Sequence, residues 1–292
     1  MRVIGIGDNV CDKYEHLGMM FPGGQALNFA VYAGMLGAQA AYMGVFGRDP
    51  VADHVIRTLD EREVDRSRCR QYDGENGYAR VTLVDGDRVF LGSNKGGVVN
   101  EHPILLTGED LEYIKEFQLV HATNNGHFDS QLPAVKNAGV PVSYDFSNRW
   151  DQDELVERVA PYITYAFLSC GGAPRSQAEA ICRKISSYGC ELVTATRGSK
   201  GALVFDGKDF REQPPKLVEA VDTLGAGDSF AAAFLLSWTE SRGKWGQLLY
   251  DDREVYEREL KKAMEAGAEF ASRTCMKRGA FGHGVPMESA RP

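Results

Sequence analysis

Asp222-Thr223-Leu224-Gly225-Ala226-Gly227-Asp228 runs directly into Ser229-Phe230-Ala231-Ala232-Ala233-Phe234. The string reads as a glycine-bearing turn feeding a helix. The first backbone N–H groups of a helix have no intrahelical acceptor, and the aligned peptide dipoles add partial positive charge there. Such a terminus is a ready site for an anion. Gly225 and Gly227 let the backbone approach a phosphate where a Cβ would clash. Asp228 then falls in the first helical turn, beside that anion. A carboxylate there hinders simple anion binding, but it suits a group that takes a proton from an attacking hydroxyl. The competing reading makes Asp222 or Asp228 an ordinary cap in a glycine turn.

Upstream, the pattern is regular. Strands at 119–122, 140–144, 165–168 and 192–196 each follow a helix, at 109–117, 132–137, 153–159 and 177–188. Alternation of this kind predicts a doubly wound, mostly parallel α/β sheet with helices on both faces. A strand at 3–7, a helix at 25–36, a strand at 40–45 and a helix at 51–63 open the chain. A hairpin segment around 202–210 and helices at 226–238 and 255–274 complete the layers. Between them, 78–84 and 88–91 alternate polar and apolar residues around Asp85-Gly86-Asp87, a hairpin signal. The expectation is one domain over 1–292. A small β-sheet that could act as a lid takes its strands from about 11–21 and 76–100.

Composition narrows the classes. Of 292 residues, 43% are hydrophobic and 25% charged, ordinary for a globular chain. The apolar run at 230–236 is far short of the ~20 residues a membrane helix needs. Only two apolar residues separate Arg2 from Gly5, so no signal-peptide core is expected. The six cysteines form no Cys-x-x-Cys pair, which predicts reduced thiols in a cytoplasmic protein. A net charge of −8 argues against nucleic acid as a partner. It leaves room for a nucleotide held by backbone N–H groups.

Two more stretches bear on chemistry. Gly7-Asp8-Asn9-Val10-Cys11-Asp12 follows the first strand, and Pro22-Gly23-Gly24-Gln25-Ala26-Leu27-Asn28 opens a helix. Ligands of open α/β sheets bind at strand ends. Asp8, Asn9, Asp12 and Asn28 are the candidates for reading sugar hydroxyls, and Gly23 and Gly24 leave room for them. A turn at 8–9 and a buried capping role for Asn28 are the competing readings. Val193-Thr194-Ala195-Thr196-Arg197-Gly198-Ser199-Lys200-Gly201 runs from a strand into a glycine-rich loop. It could lie along a nucleotide, or be an ordinary strand–turn–strand. Arg80, Arg88 and Lys95 could meet a substrate carboxylate, or be solvated edge charges. The P-loop and dinucleotide fingerprints are both missing.

These elements, in this order, resemble the PfkB-type, ribokinase-like carbohydrate kinases over nearly the whole chain. Gly23-Gly24-Gln25-Ala26-Leu27-Asn28 matches the family's N-terminal Gly-Gly…Asn signature. Asp222 to Asp228 match its Asp-Thr-x-Gly-Ala-Gly-Asp signature at every position. The resemblance implies that Asp228 is the catalytic base and that Gly225, Ala226 and Gly227 form the anion hole. It implies that Asp12, Gly24 and Asn28 contact the sugar, and that Thr196, Arg197, Gly198 and Gly201 lie along the nucleotide. ATP and Mg2+ are the implied cofactors, and a homodimer through the lid is the implied partner state. Some relatives bind K+ beside the anion hole, and Asp222 with the Gly279-Ala280 loop is the candidate position for it here.

Shorter strings resemble the fructoselysine 6-kinases within that family. They include Gly7 to Tyr14, Asp87-Arg88-Val89-Phe90, Val120-His121-Ala122, Gly126-His127 and Tyr144-Asp145-Phe146-Ser147-Asn148-Arg149-Trp150-Asp151. The implied reaction is ATP-dependent phosphorylation of the 6-hydroxyl of a fructose–amino acid (Amadori) conjugate. Fructose, ribose or nucleoside kinases of the family are the alternatives, as is a non-catalytic sugar- or nucleotide-binding regulator. Many relatives carry Asn-x-x-Glu where this chain has Ser169-Cys170-Gly171-Gly172-Ala173-Pro174, which puts the protein ligands of Mg2+ in doubt.

Overall fold

The computed structural model describes residues 1–84 and 87–287, without the side chains of 83, 84, 87 and 88. Its main sheet has eight strands, in the order Phe210–Gln213, Ala202–Phe205, Leu192–Thr196, Tyr165–Ser169, Val142–Asp145, Leu119–Thr123, Arg2–Ile6 and Gln39–Met43. The last six are parallel, and the first two are attached antiparallel at one edge. This is the doubly wound, mostly parallel body expected from the alternation.

The two faces follow from the side-chain period of two along a strand. Val3 and Leu119 bury into one apolar core with the helices Gln25–Met35, Ala226–Trp245 and Arg253–Thr274. Their neighbours Ile4 and Val120 bury into the other. There they meet Leu132 and Val135, Leu155 and Val156, and Ile181 and Ile185, from three of the crossover helices. Strands covered on both faces need nearly continuous apolar runs; Tyr165–Leu168 is one, and Leu119–Ala122 is another but for the buried His121.

A second sheet stands beside the first. Its order is Val285–Pro286, Met19–Gly23, Val10–Tyr14, Tyr78–Val84 and Asp87–Ser93. Tyr78–Val84 and Asp87–Ser93 pair antiparallel as the alternation predicts. Their connecting Asp85-Gly86 lies outside the described residues. Val10–Tyr14 pairs parallel with Tyr78–Val84 and antiparallel with Met19–Gly23. The C-terminal strand Val285–Pro286 is an addition: two residues after a glycine-rich turn carry no periodic signal. No helix among the described residues is long and apolar enough to cross a membrane. All six cysteines are free.

Candidate active site

Helix Ala226–Trp245 begins at the C-terminal edge of the main sheet. Gly225 precedes it with φ 73°, a left-handed conformation that favours glycine. A Cβ at Gly225 would lie 2.4 Å from the Tyr32 hydroxyl, so the turn has no room for a side chain. Ala226, Gly227 and Asp228 wall a cavity of about 570 Å3. The helix start and the motif's carboxylate therefore share one space.

Asp228 is buried, and its Oδ2 accepts from the Asn28 amide Nδ2 at 2.6 Å. The two residues lie 200 positions apart and come from two helices packed on the same face of the sheet. Burial pushes the Asp228 carboxyl up to about 8. The charge of Asp145 adds to that shift, and the Asn28 hydrogen bond opposes it. Asn28 Oδ1 is buried without a partner among the described residues.

The Gly23–Gly24 pair makes space next to Asn28. A Cβ on Gly23 would fall 2.5 Å from Asp12 Oδ2 and 3.9 Å from Asn28 Oδ1. Any side chain at Gly23 would therefore press on Asp12 Oδ2 and reach the neighbourhood of Asn28 Oδ1. Gly24 has φ 109°, and its Cα packs against the backbone of Asp8 and Asn9. Asp12, Gly23, Gly24 and Asn28 are thus gathered at one place.

Asp8 and Asn9 are placed differently. Asp8 accepts from Gln25 N–H at 2.7 Å, Ala26 N–H at 3.2 Å and the Thr123 hydroxyl at 2.7 Å. It caps the helix Gln25–Met35 across space, answering N–H groups that helix starts leave open. Asn9 donates to the Tyr42 hydroxyl and to Val45 C=O, and accepts from Asn76. Both side chains are engaged inside the protein and frame the site. Arg88 lies on the strand Asp87–Ser93, and its side chain is outside the described residues.

On the far side of the cavity, Thr196, Gly198 and Gly201 form part of the wall. Thr196 ends its strand, and its hydroxyl donates to Leu168 C=O at 3.1 Å. Arg197 is not on that wall, and its Nε is buried without a partner among the described residues. The segment 213–218 closes the wall, with Leu217 and Val218 exposed towards solvent.

Asp145 was not among the residues picked from the sequence. It ends the strand Val142–Asp145 and is buried on the cavity wall. Ser147 N–H donates to its Oδ1 at 2.6 Å. Burial pushes its carboxyl up to about 7, against that hydrogen bond and with the charge of Asp8 adding. The signal existed: a carboxylate one position beyond a predicted strand, at the sheet edge where ligands bind. Gln25 also lines the cavity, steadied by Asn125 at 2.8 Å.

Asp222 is a junction of hydrogen bonds. Its Oδ1 accepts from Leu224 N–H, and its Oδ2 from Gly279 N–H and the Tyr14 hydroxyl. Ala280 C=O accepts from the Tyr32 hydroxyl. These oxygens meet N–H and O–H donors, which tie the turn at 222–225 to the second sheet and to the 279–280 loop.

A strand-end cavity with a buried carboxylate at a glycine-turn helix start is the apparatus of a phosphotransferase. The profile described as pfkB family carbohydrate kinase matches residues 9–283. The chain belongs to the pfkB family of carbohydrate kinases, and ATP-dependent phosphorylation of a sugar is its chemistry. Fructosamine kinase FrlD of Bacillus subtilis (strain 168) is 37% identical over 288 residues, 98% of this chain and 95% of that protein. Fructoselysine 6-kinase of Escherichia coli (strain K12) is 35% identical over 237 residues, 80% of this chain and 88% of that protein. Among solved structures, ribokinase from Giardia lamblia has a TM-score of 0.79 at 15% identity, covering 99% of this chain and 97% of that one. Arabidopsis thaliana ribokinase complexed with ribose and ATP has a TM-score of 0.75 at 21% identity, covering 99% and 96%. Likeness at such identities speaks for the ribokinase-like fold.

Proposed function

We propose that this kinase transfers the γ-phosphoryl group of ATP to the 6-hydroxyl of a fructose–amino acid conjugate such as fructoselysine, with Asp228 as base. The acceptor class rests on one observation, the near-full-length identity to a fructosamine kinase. The mechanism rests on the geometry around Asp228.

The acceptor sits between the Gly23–Gly24 gap and Asp228. Asp12 and the unpartnered Oδ1 of Asn28 accept hydrogen bonds from its ring hydroxyls. Asn28 Nδ2 holds Asp228 Oδ2, so the carboxylate meets the reacting hydroxyl in a fixed orientation. Asp228 accepts the hydroxyl proton as the oxygen attacks phosphorus. A base near 8 is well matched to neutral operation, since its affinity for the proton is higher than that of an ordinary carboxylate. The N–H groups at 225–227 and the helix dipole stabilise the charge on the phosphoryl oxygens. The nucleotide lies in the cavity along Thr196, Gly198 and Gly201, with Leu217 and Val218 beside its base.

Among the described residues no cluster of three or more His, Cys, Asp or Glu side chains could cage a metal. Mg2+ therefore fits as an ion carried on nucleotide phosphates and water, where it neutralises phosphate charge. Asp145, the second carboxylate on the cavity wall, is the side chain to face its water shell. The second sheet acts as the lid that keeps water, the competing acceptor, from the phosphoryl group.

The test is ATP-dependent phosphorylation with Mg2+, comparing fructoselysine with fructose, ribose and adenosine. Preferred turnover of fructoselysine is expected, and Asp228→Asn should lower it by at least ~100-fold, as loss of a general base does. Preference for another acceptor overturns the substrate and keeps the mechanism. Near-normal turnover by Asp228→Asn removes the base.

A further inference from the structure

The second sheet and the glycine turn meet at one carboxylate. Tyr14 ends the strand Val10–Tyr14 and is 4% exposed. Its hydroxyl donates to Asp222 Oδ2 at 2.6 Å, across 208 positions of sequence. The other oxygen of Asp222 accepts from Leu224 N–H at 2.9 Å. Leu224 immediately precedes Gly225, the left-handed residue from which the helix starts, and Ala226, Gly227 and Asp228 line the cavity. Tyr14 thus touches, through one carboxylate, the backbone that forms the anion site.

The tyrosine ring is held separately from its hydroxyl. It packs edge-on to Phe21 of the neighbouring strand, with centroids 5.0 Å apart. The second sheet is also fastened elsewhere. Gly279 N–H donates to Asp222 Oδ2 at 3.0 Å, and a few residues on, Val285–Pro286 pairs with Met19 and Met20. Met287 N–H then donates to Gly18 C=O at 2.9 Å. Removing the hydroxyl alone would leave the ring packing and this C-terminal fastening in place.

We infer that Tyr14 is a positioning residue for phosphoryl transfer: its hydroxyl, acting through Asp222, makes formation of the anion site depend on the second sheet being closed. The inference rests on the reading of that sheet as a lid. Catalysis by positioned dipoles depends on groups fixed before the reaction begins. With the sheet lifted, Asp222 loses the Tyr14 donor and the turn at 224–227 loses a fixed anchor. With the sheet down, the turn is set and water is excluded in the same movement. The pairing disfavours transfer to water from an open site.

Tyr14→Phe isolates the hydroxyl. We expect kcat to fall about tenfold, the scale of one charge-assisted hydrogen bond. The KM of the acceptor should change little. The share of ATP hydrolysed without transfer to sugar should rise, a ratio that loss of folded protein does not move. In a double-mutant cycle, adding Tyr14→Phe to Asp222→Ala, which removes the acceptor, should cost nothing further. Wild-type kcat and coupling ratio in Tyr14→Phe overturn the inference, and so do additive losses in the cycle. Should Tyr14→Phe fail to fold, Asp222→Ala alone carries the test, because it must raise uncoupled hydrolysis or the inference falls. All variants are assayed on whichever acceptor the wild type turns over, with Asp228→Asn in parallel. Turnover surviving in Asp228→Asn defeats the base assignment while the Tyr14–Asp222 coupling is still read on its own.

Discussion

Asp228 keeps its proton to a higher pH than an ordinary carboxylic acid because burial withdraws the water that would solvate its charge. Asp145 compounds this by presenting a like charge in the same cavity. A general base must be unprotonated to act, so kcat/KM of the free enzyme should climb as pH rises through about 8 and level off above it. Asp145→Asn removes the like charge and should move that limb to lower pH. The measurement is the pH profile of kcat/KM for wild type and variant, and a limb that stays in place would take Asp145 out of this role. Asn28 works in the opposite direction, since its amide stabilises the charged form. At this scale the sequence was legible where a motif brings residues together, as with Asp228 and Asn28, which the fold joins by a hydrogen bond, and Gly225, which starts the helix. Asp8 and Asn9 look equally suited to sugar from the string alone. Only the fold reveals that Gln25, Ala26, Thr123, Tyr42, Val45 and Asn76 have already taken their hydrogen bonds.

At the scale of elements, periodicity and stop signals carried the reading far. The helices Leu132–Asn137 and Asp153–Val159 and the strand Leu192–Thr196 lie where the pattern puts them. Helix Ala226–Trp245 runs past the expected end at 238, through Thr239-Glu240-Ser241-Arg242-Gly243. That stretch has weak helix propensity, but tertiary bonds hold it: Ser241 donates to Glu259 at 2.8 Å, and Arg242 to the Tyr165 hydroxyl. The helix stops at Gly246, whose φ is 53°. Its other end rests on Gly225. Gly225→Ala would place a methyl group 2.4 Å from Tyr32 Oη and 2.9 Å from Ala280 Cβ, at a φ that favours glycine. We expect that variant to melt at a lower temperature and to lose more than ~10-fold in kcat, since the strain of a few kcal/mol falls on the anion site itself. Thermal melting and steady-state kinetics check both, and wild-type kcat in the variant would mean the turn can shift without harm.

For the whole molecule, the second sheet leaves Asp87–Ser93 as an edge strand, with Val89, Phe90 and Leu91 exposed at 38%, 64% and 47%. An exposed apolar edge invites pairing with another chain. We propose that a second copy of this chain covers it, giving a homodimer through the lid. Light scattering should give twice the chain mass for the wild type and the monomer mass for Phe90→Asp, and a wild-type monomer would end the proposal. The sequence by itself determined the layered α/β body, because apolar periods of two and near 3.6 dictate which faces must be buried. It also determined the glycine turn that starts helix Ala226–Trp245, because glycine spacing is a local property. Tertiary structure alone decided what acts on that site. The Asn28–Asp228 bond, the charge of Asp145 beside Asp228, the Tyr14–Asp222 tie and the C-terminal strand closing the second sheet all join residues remote in sequence. Their effects depend on distance and burial, which no local pattern encodes.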